Sequence, residues 1–153
     1  MKKVAIVTDT TACIPQEQVE RYNIEVVPVE LIFEDKAYRD GIDISPAEFY
    51  ALLRQAKKLP TTSASSPGPY LEAYYKASQR AKSILCITEP SKFSAMFDSA
   101  RVAKEMAKAT LPNVVIEVLE CASAAAGQGL VALAAARASD SGRNLDEIMK
   151  TAR

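Results

Sequence analysis

Thr61, Thr62, Ser63, Ser65 and Ser66 place five hydroxyl side chains within six positions, bracketed by Pro60 and Pro67. A segment this dense in neutral donors, running into a helical pattern that starts at Tyr70, suits capture of a small anionic head group. The same composition also serves a flexible linker or a plain helix cap. Ser94 is a second candidate. It stands just before an apolar-periodic helix, where its hydroxyl either caps the helix or donates to a ligand, with the amides of Ala95 and Met96 pointing the same way. Each hydrogen bond to a charged ligand contributes about 1.5–3 kcal/mol. Two hydroxyls and a helix terminus can therefore hold a carboxylate without a nearby cation. Ser45 and Glu48 instead complete a capping box around Pro46. Asp9 and Asp40 either orient hydroxyl-bearing loops or touch a ligand themselves.

Other chemistry is disfavoured by composition. The chain has no histidine, which removes the commonest general base and the commonest metal ligand. Its three cysteines, Cys13, Cys86 and Cys121, match no zinc or redox spacing. Cys86 lies in an apolar strand pattern and reads as core packing. No catalytic, cofactor or metal site is expected. Nineteen basic residues balance nineteen acidic ones, which leaves no electrostatic footprint for nucleic acid. No apolar run is long enough to cross a bilayer. The apolar run after Met1-Lys2-Lys3 is too short for a signal peptide, so a cytoplasmic protein without membrane insertion is expected.

The elements that must position these groups alternate. Val4 to Val7 reads as a buried strand ending at Asp9 to Thr11, and Pro15 opens a short helix at its first position. Glu25 to Phe33 reads as one extended stretch, and Asp40-Gly41 as a turn. Helical spacing follows at Phe49, Leu52, Leu53 and Ala56, then at Tyr70, Tyr74, Ala77 and Ala81. Ser83 to Thr88 and Val114 to Leu119 read as further strands. A long helix carries Met96 to Ala107. Ser123 to Ser139 is alanine-rich with no charge before Arg137, so it reads as a helix buried on most sides. Gly127 and Gly129 within it imply close backbone packing. Asn144 caps a last helix. This order predicts one α/β domain over 1–153, a mostly parallel sheet with helices on both faces. In such sheets ligands sit outside the carboxyl ends of the strands. The loops Asp9–Thr11, Glu89–Ser94 and Glu120–Ser123 should gather there, with 61–66 folded over them.

The chain resembles the DegV family of bacterial lipid-binding proteins. The resemblance rests on Val4 to Ala12, Val26-Val27-Pro28, Tyr38 to Gly41, Ile44-Ser45, Glu48-Phe49-Tyr50, Pro60 to Ser63, Ser91 to Ser94 with Ser99-Ala100, and Gly127-Gln128-Gly129. It implies binding of a long-chain fatty acid and, in members of the fatty-acid-kinase type, presentation of the acid to a separate kinase subunit. Such a protein is a carrier and not an enzyme. The family pattern places the head group on the positions of Thr61, Thr62, Ser63 and Ser94, with Ala95 following. Ala95-Met96 stand where the family usually has Gly-Thr, and Glu120-Cys121 where it has Asp-Ser.

Family members are nearly twice this length, and their second domain supplies basic residues and much of the acyl tunnel. Arg153 falls about where the first domain should end, so a first domain without the second is expected. An acyl chain gains about 0.8 kcal/mol per buried CH₂, and a half-covered chain would bind an isolated monomer weakly. The alternative is a diverged regulatory or protein-interaction module that has lost its ligand and self-associates, possible homodimer formation covering the apolar cleft. An enzyme using the hydroxyls for phosphorylated substrates is a third reading. The missing histidine and the lack of a glycine-rich phosphate loop argue against it.

Overall fold

The computed structural model describes residues 4–153; Met1 to Lys3 lie outside the described residues. Strand β1 (Val4–Asp9) is followed by a single 3₁₀ turn (Thr10–Ala12), α1 (Gln16–Tyr22) and β2 (Glu25–Val27). Next come β3 (Glu30–Phe33), β4 (Lys36–Arg39), α2 (Pro46–Gln55) and β5 (Thr61–Ser63). Then α3 (Pro67–Ser78), β6 (Ser83–Thr88), α4 (Met96–Ala107), β7 (Val115–Glu120), α5 (Ala126–Asp140) and α6 (Leu145–Ala152) complete the chain.

Four strands in the order β2-β1-β6-β7 form an entirely parallel sheet. Both faces are covered, as the near-continuous apolar strands require. Side chains alternate across the strands. Ala5, Val7, Ile84, Cys86 and Ile116 pack under Tyr70, Tyr74, Met96 and Ala100 of α3 and α4. Val4, Ile6, Leu85 and Ile87 pack under Ala132, Ala135 and Ile148 of α5 and α6. Cys86 is fully buried, and burial pushes its thiol up to about 12, so it is an inert core group as expected. The α/β architecture predicted from the alternation is the one observed.

The region from Glu25 to Ser63 departs from expectation. The stretch Glu25 to Phe33 is not one strand. It breaks at Pro28, which has no amide to continue a ladder. The Val29 amide turns instead to Thr10 Oγ1 at 3.1 Å. β2 stays in the parallel sheet, while β3 starts a second, antiparallel sheet ordered β4-β3-β5. The hydroxyl segment is therefore partly a strand: Thr61, Thr62 and Ser63 pair with Ile32, Leu31 and Glu30.

Element ends also shift. Pro15 sits at the cap of α1 instead of its first helical position. Helix α3 begins at Pro67, before Tyr70, and ends at Ser78, before Ala81. Helix α5 starts at Ala126 because Ala125 has a left-handed φ of 51° that no helix accommodates. The Ser45–Glu48 and Asn144–Glu147 capping boxes both form.

Candidate functional site at the carboxyl edge of the sheet

Parallel pairing makes β1, β6 and β7 end at one edge, and hydrogen bonds lock their loops together there. Thr8 Oγ1 donates to Ile87 O at 2.8 Å, and the Cys121 amide donates to Thr88 O at 2.9 Å. The amide and the hydroxyl of Ser91 both donate to Glu120 Oε1 at 2.7 Å, which holds the Glu120 carboxyl below the usual carboxylate range. The three polar loops after the strands thus gather as the topology predicts.

At the centre lies Asp9, fully buried at the end of β1. Its carboxyl group is surrounded by neutral partners. The Thr11 amide donates to it at 3.1 Å, Gln128 Nε2 at 3.2 Å to both oxygens, and Tyr70 OH at 3.4 Å. Thr11 Oγ1 lies in hydrogen-bond contact with both Asp9 Oδ1 and Gln128 Oε1, two acceptors when Asp9 is ionised. One hydroxyl has one proton. Thr11 Oγ1 therefore serves one of the two at a time. Burial pushes the Asp9 carboxyl above its ordinary value, against the partial opposition of these hydrogen bonds. Asp9 thus orients the Thr10–Thr11 loop, one of the two roles open to it from sequence. Asp40 lies elsewhere, in a bridge to Ile44 beside the Gly41 turn.

Gln128 and Tyr70 were not singled out from sequence as partners of Asp9. The available signal was the lone amide side chain of an otherwise small and apolar segment, framed by Gly127 and Gly129. A Cβ at Gly129 would lie 2.2 Å from Ala12 O, so only glycine lets α5 approach the 3₁₀ turn and deliver Gln128. The close packing inferred for both glycines is present; at Gly127 an added Cβ would meet Ser123 Cβ at 2.7 Å.

The hydroxyl segment crosses above this edge. Ser65 is buried, its hydroxyl bonded to Pro28 O, and its amide meets Met96 Sδ of α4 at 3.2 Å. The segment and the start of α4 are therefore adjacent. Thr61 and Thr62 are exposed and Ser63 is half-buried. As successive strand residues they alternate, Thr61 and Ser63 to one face and Thr62 to the other. Ser63 Oγ also reaches Ala64 O at 3.4 Å. Ser94 is half-buried, and its Oγ accepts from the Met96 amide at 3.3 Å, so it does cap α4 from one position before the cap residue, Ala95, which is exposed. The rest of the first turn of α4 has no side-chain cap.

Two further groups face this place. Thr88 Oγ1 is buried with no hydrogen-bond partner. Glu89 is half-buried; burial and the adjacent Asp9 raise its carboxyl above the ordinary value, and a hydrogen bond from Ser94 partly reverses this. Among the described residues no group of acidic or cysteine side chains could hold a metal ion, and no helix is long and apolar enough to cross a membrane.

Fold and edge together define a doubly wound α/β protein whose polar groups collect beyond the carboxyl ends of its central strands. A family model described as "Uncharacterised protein, DegV family" matches residues 3–153, and the chain belongs to that family. A DegV domain-containing protein of Caldanaerobacter subterraneus subsp. tengcongensis is 36% identical over 151 residues, 99% of this chain and 52% of its own. The crystal structure of DegV, a fatty acid binding protein from Bacillus subtilis, superposes with a TM-score of 0.89 at 28% identity, covering 99% of this chain and 53% of that one. A stearic acid-binding protein from Eubacterium ventriosum gives 0.88 at 27% identity, covering 98% and 51%. The chain thus spans about half the length of the relatives it matches.

Proposed function

We propose that this protein binds a long-chain fatty acid and acts as its carrier, without catalysis of its own. In this reading the carboxylate rests on Ser94, on the first-turn amides from Ala95 onward and on one face of the 61–63 strand, either Thr62 or the pair Thr61 and Ser63. The 1–153 segment corresponds to the first of two domains. The observation that carries the reading is the contact between Ser65 and Met96, 31 residues apart, which brings the hydroxyl segment against an incompletely capped helix start. Helix N-termini favour anions. The named ligands of the Bacillus and Eubacterium proteins supply the chemical class. A fatty acid kinase subunit is the proposed acceptor of the bound acid.

The test is oleate binding by Thr62→Val and Ser94→Ala. Each loss of a hydrogen bond to a charged head group should weaken binding by about 1.5–3 kcal/mol, with unfolding midpoints nearly unchanged. Affinity unchanged in both variants removes these residues from the site. A second reading is a module that docks on a partner or on itself, favoured by Phe93, which is 71% exposed right beside Ser94. Native mass spectrometry after gentle purification separates the two: a retained fatty acid supports the carrier, a stable ligand-free dimer the module.

A further inference from the structure

We propose that the Met96 thioether stands in for the head group, filling its place beneath the first turn of α4 until a carboxylate displaces it and takes over the Ser65 amide and the buried Thr88 hydroxyl. The inference rests on the carrier reading and deepens it. Two buried donors here are poorly served. The Ser65 amide has Met96 Sδ as its acceptor, at 3.2 Å. A thioether sulfur accepts only weakly. Thr88 is fully buried, and its Oγ1 has no hydrogen-bond partner. Such a hydroxyl costs stability, because it has given up water and gained nothing in return.

Strand alternation brings the two donors to one place. Thr88 is the last residue of β6 and shares a face with Ile84 and Cys86. Those two pack in one cluster with Tyr70 and with Met96, the first residue of α4. Asp9 ends β1 on the same face, beyond Ala5 and Val7, and Tyr70 OH reaches it at 3.4 Å. On its other flank Thr88 pairs with Glu120, which is committed to Ser91. Thr88 thus lies on the strand face that α4 covers where it begins, and Ser65 meets the same Met96 side chain from the hydroxyl segment. Met96 is suited to leave, since its unbranched chain has three rotatable bonds and repacks readily. A carboxylate offers two oxygens and about four lone-pair sites, enough for Ser65 and Thr88 besides the helix amides. Hydrogen bonds to an ionised acceptor are the stronger kind, so replacing sulfur by carboxylate favours the ligand. The displaced thioether then packs on the first methylenes of the acid, and no covalent bond changes.

Two measurements on the full chain test this. First, Thr88→Val is compared with wild type with and without oleate supplied from cyclodextrin. Without ligand its urea midpoint should be no lower than that of wild type, because the hydroxyl removed had no partner. With oleate it should bind at least about tenfold more weakly, as expected for one lost hydrogen bond to a charged group. Second, the methionine methyl groups are followed by NMR, and the Met96 signal is assigned by its loss in Met96→Leu. Saturating oleate should move that signal, while those of Met106, on the exposed side of α4, and Met149, in the opposite core, stay in place. Unchanged oleate affinity in Thr88→Val, a lowered midpoint, or an unmoved Met96 signal at saturation overturns the inference while leaving the carrier reading standing. A wild type that binds no oleate overturns both.

Discussion

Asp9 shows how a single buried carboxyl group organises this edge. Its hydrogen-bond partners are all neutral, and burial raises its carboxyl above the ordinary value. A folded-state value above the unfolded one has a definite sign for stability. The native state binds the extra proton, so the Asp9 contribution is fully present below the ordinary aspartate range. It is lost as pH rises through the raised folded value. Asp9→Asn keeps the size of the side chain and removes its titration. We expect it to remove this part of the decline, so that the wild-type and variant urea midpoints converge at low pH and separate as pH rises. Parallel midpoint curves would show that Asp9 is ionised throughout.

Elements meet at this edge through backbone, and small residues decide how closely. Helix α5 touches the turn after β1 at Gly129, where no side chain fits beside Ala12 O. Gly129→Ala must push the helix off the turn, and overpacking of this kind costs about 1–3 kcal/mol. Because Gln128 rides on the same turn of α5, the variant should also loosen Asp9. Chemical denaturation reads the first effect, and a change in the Asp9 titration reads the second. Pro28 acts on the same scale. It ends β2, exposes the Val29 amide to Thr10, and offers its carbonyl to Ser65. One proline thereby ties the loop after β1, the strand break and the hydroxyl segment into one unit.

The two cores of the whole molecule share a single parallel sheet, so neither can melt without exposing the back of the other. Ile148 of α6 is fully buried on one face, while Tyr70 and Tyr74 are fully buried on the opposite one. Ile148→Ala should cost about 2–5 kcal/mol. It should shift the tyrosine-detected and far-UV circular dichroism transitions together. Transitions that no longer coincide would mean that unfolding is not a single cooperative step. The chain also spans only about half the length of the relatives it matches.

The main sheet was readable because a strand buried on both faces must be apolar throughout and a covering helix must carry an apolar stripe; Val4 to Val7, Ser83 to Thr88 and the Met96 helix satisfy those demands locally. Capping boxes at Ser45 and Asn144 were equally local, since donor and acceptor sit three residues apart. The antiparallel sheet was not readable. Its strands β3, β4 and β5 bury no residue fully, and their pairing depends on partners far along the chain. The same holds for the edge: Asp9 to Gln128 spans 119 residues and Ser65 to Met96 spans 31. Residue types announced that hydroxyls and a helix start were available. Which of them share a place follows only from contacts between distant segments, which no local pattern encodes.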